Sequence, residues 1–282
     1  MRIEVKNLSY IYSEGLPYET KALDDISFVA EDGDFVAVVG CTGSGKTTLV
    51  EHLNGLMKPS VGQILADGTD INAKTPQAKA KRREIGLVFQ YPEYQLFEET
   101  VLKDVMFGPK NMGLSAEECE ARAKKALQLV GLDVSEVGDS SPFALSGGQK
   151  RRVAIAGVLA MNPKALILDE PTAGLDPCGR REILEMIKKI KEEQNLTIFL
   201  VSHNMDDVVN FASKVIVLKR GTIRLIGTPR EVFYNVDEVV AAGLDLPQGP
   251  GFSQYLKDRG IKLRRTLTFD ETAEEILRYF KK

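Results

Sequence analysis

Tryptophan is absent from this chain, and only three cysteines are scattered through its 282 residues. So sparse a set of thiols excludes a disulfide framework or a cysteine metal cluster and points to a reducing compartment. An excess of one charge is lacking too. The 37 basic and 40 acidic residues leave a formal net charge of −3, so no global field draws a polyanion and no nucleic-acid partner is expected. No apolar run approaches the ~18 to 20 residues of a spanning helix. The opening Met1-Arg2-Ile3-Glu4 has neither a charged n-region nor an apolar h-region, so no secretory signal is read there. These absences suggest a cytosolic chain, one free to dock on a membrane protein. At 43% hydrophobic and 27% charged, the composition is that of a soluble globular protein, long enough for one large domain or two ordinary ones.

What is present centres on Gly40-Cys41-Thr42-Gly43-Ser44-Gly45-Lys46-Thr47-Thr48, which fits the phosphate-loop pattern G-x-x-x-x-G-K-[ST]. The unbroken apolar run Phe35–Val39 before it reads as a strand buried on both faces. Leu49, Leu53 and Leu56 after it recur at helical spacing. The loop therefore stands between a parallel strand and a helix N-terminus, where backbone N–H groups can curl round an anion. Lys46 would reach the β- and γ-phosphates of ATP, and the Thr47 hydroxyl would hold Mg2+. An ordinary Gly/Ser/Thr-rich turn is the bland alternative. Cys41 raises a smaller question. Backbone N–H groups and Lys46 would make it redox-sensitive if they lowered its thiol pKa, whereas a neutral loop filler is the simpler reading.

Strands are expected at Ile3–Leu8, near Asp25–Ala30, at Gln63–Ala66 before an Asp67-Gly68 turn, and at Ile85–Phe89. The basic residues from Lys74 to Arg83 read as a solvated helix face. From Tyr91 helical periods and caps take over, with a capping box at Ser115 and Glu118 and a stop at Gly131. Together with the helix ending at Asn162-Pro163, this gives an inserted helical subdomain over about 91–162. Ala165–Leu168 is a buried strand, Asp176-Pro177 opens a helix, and Thr197–Val201 is another strand. Val215–Leu218 and Ile223–Ile226 flank a hairpin turn at the sheet edge. Residues 229–282 read as an appended helical extension to a main domain over 1–228. Its last helix, capped by Thr268 and Glu271, carries Ala273, Ile276, Leu277 and Phe280 as an apolar face, to cover one side of the core or to bind a partner.

Ligands of an open parallel sheet bind beyond the carboxyl ends of its strands. Four expected strands end in suitable chemistry: the Gly40 loop, Gln90, Asp169-Glu170 and Ser202-His203. Asp169 after an apolar run fits the aspartate that completes Mg2+ coordination in phosphate-loop ATPases. Glu170 is placed to polarise a water towards the γ-phosphate. Gln90 offers both a donor and an acceptor, for the metal or the water, and His203 a γ-phosphate contact. Each has a plainer reading: a surface acid, a strand-terminal amide, a structural histidine. Ser146-Gly147-Gly148-Gln149 before a helix is a second phosphate-binding candidate.

Gly40–Thr47, Gln90, Leu145–Gln149, Leu166–Glu170, Ala173-Gly174-Leu175-Asp176 and His203 resemble the Walker A, Q-loop, signature, Walker B, D-loop and H-loop of an ABC-type ATPase, in family order and spacing. The resemblance implies an α/β phosphate-loop NTPase core of mostly parallel sheet with flanking helices, an N-terminal antiparallel β subdomain, and the inserted helices. It also implies two such domains head to tail, each ATP lying between the Walker loop of one chain and the signature loop of the other. Tyr12 matches the aromatic that stacks on adenine, with Tyr10 the second choice and an edge-strand aromatic the plain alternative.

A narrower resemblance lies in Gln90-Tyr91-Pro92-Glu93-Tyr94-Gln95-Leu96-Phe97, in Gly227–Phe233 and in Ala242–Pro247. These are similar to the ATPases of energy-coupling-factor importers and the related cobalt and nickel systems, and less specific than the core motifs. They imply uptake of vitamins or metal ions through a transmembrane coupling subunit and a substrate-binding membrane subunit, with the ATPase at the cytoplasmic face of the membrane. A homologous, non-identical second ATPase is favoured over a second copy. The competing class is a soluble ABC-type ATPase acting in translation or chromosome maintenance. Against it, no a/d heptads run long enough for coiled-coil arms and only one cassette is present. A phosphate-loop kinase leaves Ser146–Gln149 unexplained.

Overall fold

A computed structural model describes residues 1–281. The chain opens with two long antiparallel strands, β1 (Ile3–Tyr12) and β2 (Thr20–Ala30). β3 (Phe35–Val39) then runs into the phosphate loop and α1 (Lys46–Leu53). β4 (Val61–Ala66) and β5 (Thr69–Asp70) form a hairpin, followed by α2 (Pro76–Arg83) and β6 (Ile85–Val88). The helical part comprises α3 (Val101–Asn111), α4 (Ala116–Leu129), the short α5 (Val134–Val137) and α6 (Gly147–Leu159). The chain then returns to the sheet through β7 (Ala165–Asp169), α7 (Pro177–Gln194), β8 (Thr197–Val201), α8 (Met205–Phe211) and the hairpin of β9 (Lys214–Lys219) with β10 (Thr222–Gly227). The extension holds α9 (Pro229–Phe233), α10 (Val236–Ala241), α11 (Gln248–Lys257) and α12 (Phe269–Phe280).

The strands make two sheets. The larger has the order β10-β9-β3-β8-β7-β6, parallel except for the antiparallel β10 at its edge. The smaller is antiparallel, in the order β2-β1-β4-β5. This is the α/β architecture that the motifs imply. A parallel sheet covered on both faces needs strands without alternation, and β3, β7 and β8 are buried at every position. Val36 and Val38 of β3 face the smaller sheet, packing with Leu8, Leu23 and Ile26. Ala37 and Val39 face the other way, where Met205 and Val208 of α8 join Val232, Phe233 and Val239 of the extension. A third cluster joins β7 and β8 to the inserted helices through Val101, Ala123, Val153 and Ile155.

Local signals hold where they were strongest. Ser115 and Glu118 form a reciprocal capping box, Asp67 and Gly68 turn the β4–β5 hairpin with φ of 45° and 80°, and Asp176 caps α7. One expectation needs correction. The second strand begins at Thr20, not near Asp25, because Thr20–Asp24 pairs with the far end of β1 across irregularities at Asn7 and Asp25, both in the left-handed region. On the apolar face of α12, Ala273 and Ile276 are half-buried, while Leu277 and Phe280 stand 60% and 67% exposed.

Candidate functional site

The phosphate loop is shaped by sterics before chemistry. A Cβ on Gly40 would collide with the Ser44 side chain and the Leu218 carbonyl. Gly45 sits at φ 104°, and a Cβ there would lie 2.8 Å from the Ala22 carbonyl. The loop is also clamped from outside. Gly221 in the β9–β10 turn donates its N–H to Ser44 O at 3.0 Å, and its own carbonyl accepts from Asp24 N at 2.8 Å. Lys46, the first residue of α1, folds back to donate from Nζ to the Gly40 and Cys41 carbonyls at 2.7 and 3.0 Å. Ser44 Oγ is buried without a hydrogen-bond partner among the described residues. A polar cradle with an orphaned hydroxyl and a lysine ammonium at its rim suits an anion. Thr42 and Gly43 form its exposed lip.

Beside it, Asp169 ends β7 almost fully buried and close to the Thr47 hydroxyl. Burial, reinforced by the charge of Glu170, pushes its carboxyl pKa up, against the pull of Lys46 and Thr47. A buried carboxylate and a hydroxyl on the loop's helix are a hard-oxygen donor set of the kind Mg2+ takes. Glu170 follows with φ 48°, a left-handed backbone that only a well-determined site maintains for a glutamate. Its Oε2 accepts from Gln90 Nε2 at 3.1 Å and lies 3.5 Å from His203 Nδ1. Three residues named from three separate strand ends thus meet at one carboxylate oxygen.

Tyr12 lies at the exposed end of β1, its hydroxyl 3.1 Å from Thr48 Oγ1 and its ring edge-on to Tyr10. Tyr10 turns inward onto His52, with centroids 4.6 Å apart. Ser146 and Gln149 satisfy each other in a capping box at the start of α6, and a side chain on Gly147 or Gly148 would meet nothing within 4 Å. Among the described residues, none of the hydrogen bonds of Ser146–Gln149 reaches the phosphate loop of the same chain. Asp176 is likewise exposed and occupied with Gly179 N at 2.8 Å.

Two features escaped the sequence. Arg151, two residues beyond Gln149, is buried and bonds the Glu93 carboxylate bidentately at 3.1 and 2.8 Å. Its Nη1 also reaches the Pro171 and Ala173 carbonyls at 3.0 and 2.9 Å. One guanidinium therefore ties the segment after Gln90, the signature helix and the loop after Glu170 together. An Arg beside a signature motif and a Glu three residues past Gln90 were the only clues. The second is Cys41. Its thiol donates to the Ala242 and Gly243 carbonyls at 3.2 and 3.1 Å, while Lys46 faces the backbone and not the sulfur.

The comparisons with known proteins fit this geometry. A profile described as ABC transporter matches residues 23–173. The chain is 55% identical to "Energy-coupling factor transporter ATP-binding protein EcfA2" of Caldanaerobacter subterraneus subsp. tengcongensis, over 100% of this chain and 98% of that one. It is 52% identical to the protein of the same name from Clostridioides difficile, covering 99% and 97% of the two chains. Among solved structures, cbiO1 from Clostridium perfringens, described as part of the ABC transporter complex cbiONQ, superposes with a TM-score of 0.75 at 41% identity, over 89% of this chain and 98% of that one. An ATP-binding cassette solved as a dimer in a post-hydrolysis state with ADP and Pi gives a TM-score of 0.70 at 31% identity, over 80% and 98%. The chain belongs to the ABC transporter family of ATPases and, within it, to the energy-coupling factor ATP-binding subunits.

Proposed function

We propose that this chain is one of two ATPases that drive an importer of vitamins or transition-metal ions from the cytoplasmic face of the membrane. A homologous, non-identical ATPase is the favoured partner, with a second copy of this chain as the alternative. A transmembrane coupling subunit and a substrate-binding membrane subunit complete the assembly, and nucleic acid has no part in it. The observation that carries the reading is the junction at Glu170 and Arg151. Through it the hydrolytic carboxylate and an exposed aromatic surface are mechanically joined: Gln90 bonds Glu170, and Glu93 bonds Arg151. The segment between and beyond them presents Tyr94 at 84% and Phe97 at 56% exposure, with Phe107 edge-on to Phe97 at 4.8 Å. Exposed aromatics grouped on one side of a subdomain suit a helix of a membrane partner.

In this reading the backbone of Gly40, Cys41, Thr42, Gly43, Ser44, Gly45 and Thr48 surrounds the ATP phosphates, and Tyr12 stacks on adenine. Lys46 exchanges its two carbonyl partners for the β- and γ-phosphates. Thr47, Asp169 and Gln90 would hold Mg2+, which would supply positive charge against that developing on the phosphate oxygens. Glu170 polarises the attacking water and takes its proton, oriented by Gln90, while His203 contacts the γ-phosphate. Ser146, Gly147, Gly148 and Gln149 serve the ATP held by the partner ATPase, with Asp176 at the same interface. Purification of the tagged chain from its native membrane tests the assignment. A stoichiometric integral membrane subunit together with a second ATPase is expected; co-sedimentation with ribosomes would overturn the importer reading.

A further inference from the structure

The stretch Lys257–Arg265 carries five cations and a single carboxylate, in a chain whose formal net charge is −3. It links α11 to α12 and, with the α9–α10 region, walls a cavity of about 540 Å³. Lys257, Lys262, Arg264 and Arg265 line that cavity, and among the described residues Asp237 is the one acid facing it. The neighbouring carboxylates are engaged elsewhere: Glu238 with Arg224, Glu271 with Arg230, Glu275 with Arg278, and Asp258 with Gln254. Glu275 accepts the Arg264 backbone N–H at 3.1 Å and also feels the Arg264 charge, so it offsets part of the stretch's positive field without pairing with a lining cation. Among the described residues none of the four lining cations forms an ion pair. Like charges gathered at one concavity repel, and a multiply charged anion relieves that repulsion.

The rest of the wall is mixed, with Phe233, Val236, Pro250 and Leu263 beside the polar Ser253, Gln254 and Thr266. Ser253 Oγ lies 3.0 Å from Thr266 Oγ1, which lies 2.7 Å from Thr272 Oγ1, so the floor beneath the cations is fixed by a buried hydroxyl chain. Tyr234 holds the Arg265 guanidinium 5.8 Å from its ring centroid. The volume falls in the ~300 to 1,000 Å³ range of small-ligand pockets. Two guanidinium forks and two ammonium groups match phosphate oxygens better than a lone carboxylate. The cavity also has a route to the phosphate loop. Asn235–Asp237, at the start of α10, line it, and Ala242 and Gly243, just past the end of α10, accept the Cys41 thiol.

We infer that this cavity is a second anion site, taking a small phosphate-bearing ligand and reporting its occupancy through α10 to Cys41. The binding half stands without the ATPase reading; the coupling half rests on Cys41 lying in the ATP site. The test uses the full-length Lys46→Ala chain, in which the phosphate loop has lost its lysine, and inorganic pyrophosphate as the probe in calorimetry. Millimolar or tighter binding is expected, weakened at least about tenfold by adding Lys262→Glu and Arg264→Glu, the loss of more than one charge-assisted bond. Circular dichroism checks that the charge-reversed chain is folded. Co-sedimentation with phosphatidylcholine vesicles containing phosphatidic acid distinguishes the sources. Binding to vesicles alone assigns the phosphate to a lipid headgroup, and binding to pyrophosphate alone assigns it to a soluble ester. Binding to neither, or affinity indifferent to the charge reversal, overturns the site. Pyrophosphate should also change the alkylation rate mapped to Cys41 at least about twofold; an unchanged rate overturns the coupling and leaves the site.

Discussion

Gln90 Nε2 donates to Glu170 Oε2 across 3.1 Å, joining the ends of two neighbouring parallel strands at the carboxylate next to the phosphate loop. In the proposed mechanism this contact lets Gln90 orient the acid and links it to the segment leading to Tyr94 and Phe97. Replacing Glu170 by Gln keeps the shape and a hydrogen-bonding oxygen but removes the base. ATP turnover of the assembled transporter should fall about a hundred- to ten-thousand-fold while ATP affinity changes little. Steady-state hydrolysis alongside nucleotide binding measures both, and near-normal turnover would remove Glu170 from its role.

Arg151 is the tie between three segments, so its loss should be felt in stability before chemistry. Arg151→Met leaves the Glu93 carboxylate, only 16% exposed, and two carbonyls without their donor. A loss of about 2 to 4 kcal/mol is expected in urea denaturation. Adding Glu93→Gln should recover part of it, because the stranded charge is then gone. Equal additive losses from the two changes would mean that the pair is not coupled.

His52 supplies a pH dependence. It is fully buried on α1, its Nδ1–H donates to the Thr48 carbonyl at 2.7 Å, and burial pushes its pKa below the ordinary histidine value. On acidification through about 6.5 the unfolded chain therefore takes up a proton that the folded chain refuses, and stability falls until the lower folded-state pKa is passed. His52→Leu cannot show that loss. Comparing urea midpoints at pH 7 and pH 5, the wild-type chain should lose more than the variant, and parallel declines would refute the assignment.

Gly243 carries φ 79°, and a Cβ on it would lie 2.6 Å from Cys41 Sγ. Gly243→Ala should therefore cost about 1 to 3 kcal/mol through strain and collision. It should weaken ATP binding too, since the displaced thiol belongs to the phosphate loop. Cys41→Ala in the same chain should restore the affinity but only part of the stability, as the backbone strain remains. Nucleotide affinity unaffected by Gly243→Ala would show that the extension leaves the loop undisturbed.

The contrast between what could and could not be read is a matter of range. The strand, loop and helix around Lys46, the box of Ser115 and Glu118, and the cap at Asp176 are written in neighbours a few residues apart, so sequence alone displays them. The grouping of Gln90, Glu170 and His203 was legible because parallel strands bring their carboxyl ends to one edge. Arg151 with Glu93, and Cys41 with Gly243, are pairings across distant segments that no local signal encodes. The first half of β2 shows no clean alternation in Thr20-Lys21-Ala22-Leu23-Asp24, and its pairing is decided by β1. α12 has the period of an amphipathic helix, yet period says nothing of what lies opposite Leu277 and Phe280.

The clamp of Gly221 on Ser44 has a bearing on biosynthesis. The phosphate loop is translated early, but the turn that closes over it belongs to the last hairpin of the large sheet, and β9 is also the strand that flanks β3 on one side. A nascent chain still short of that hairpin holds Lys46 and its glycines without their outer wall, beside an unpaired strand edge of the kind that recruits other chains. The competence to grip a nucleotide is thus deferred until the ribosome has nearly finished the ATPase portion, and a chain truncated before β9 should be both unable to bind ATP and prone to aggregate.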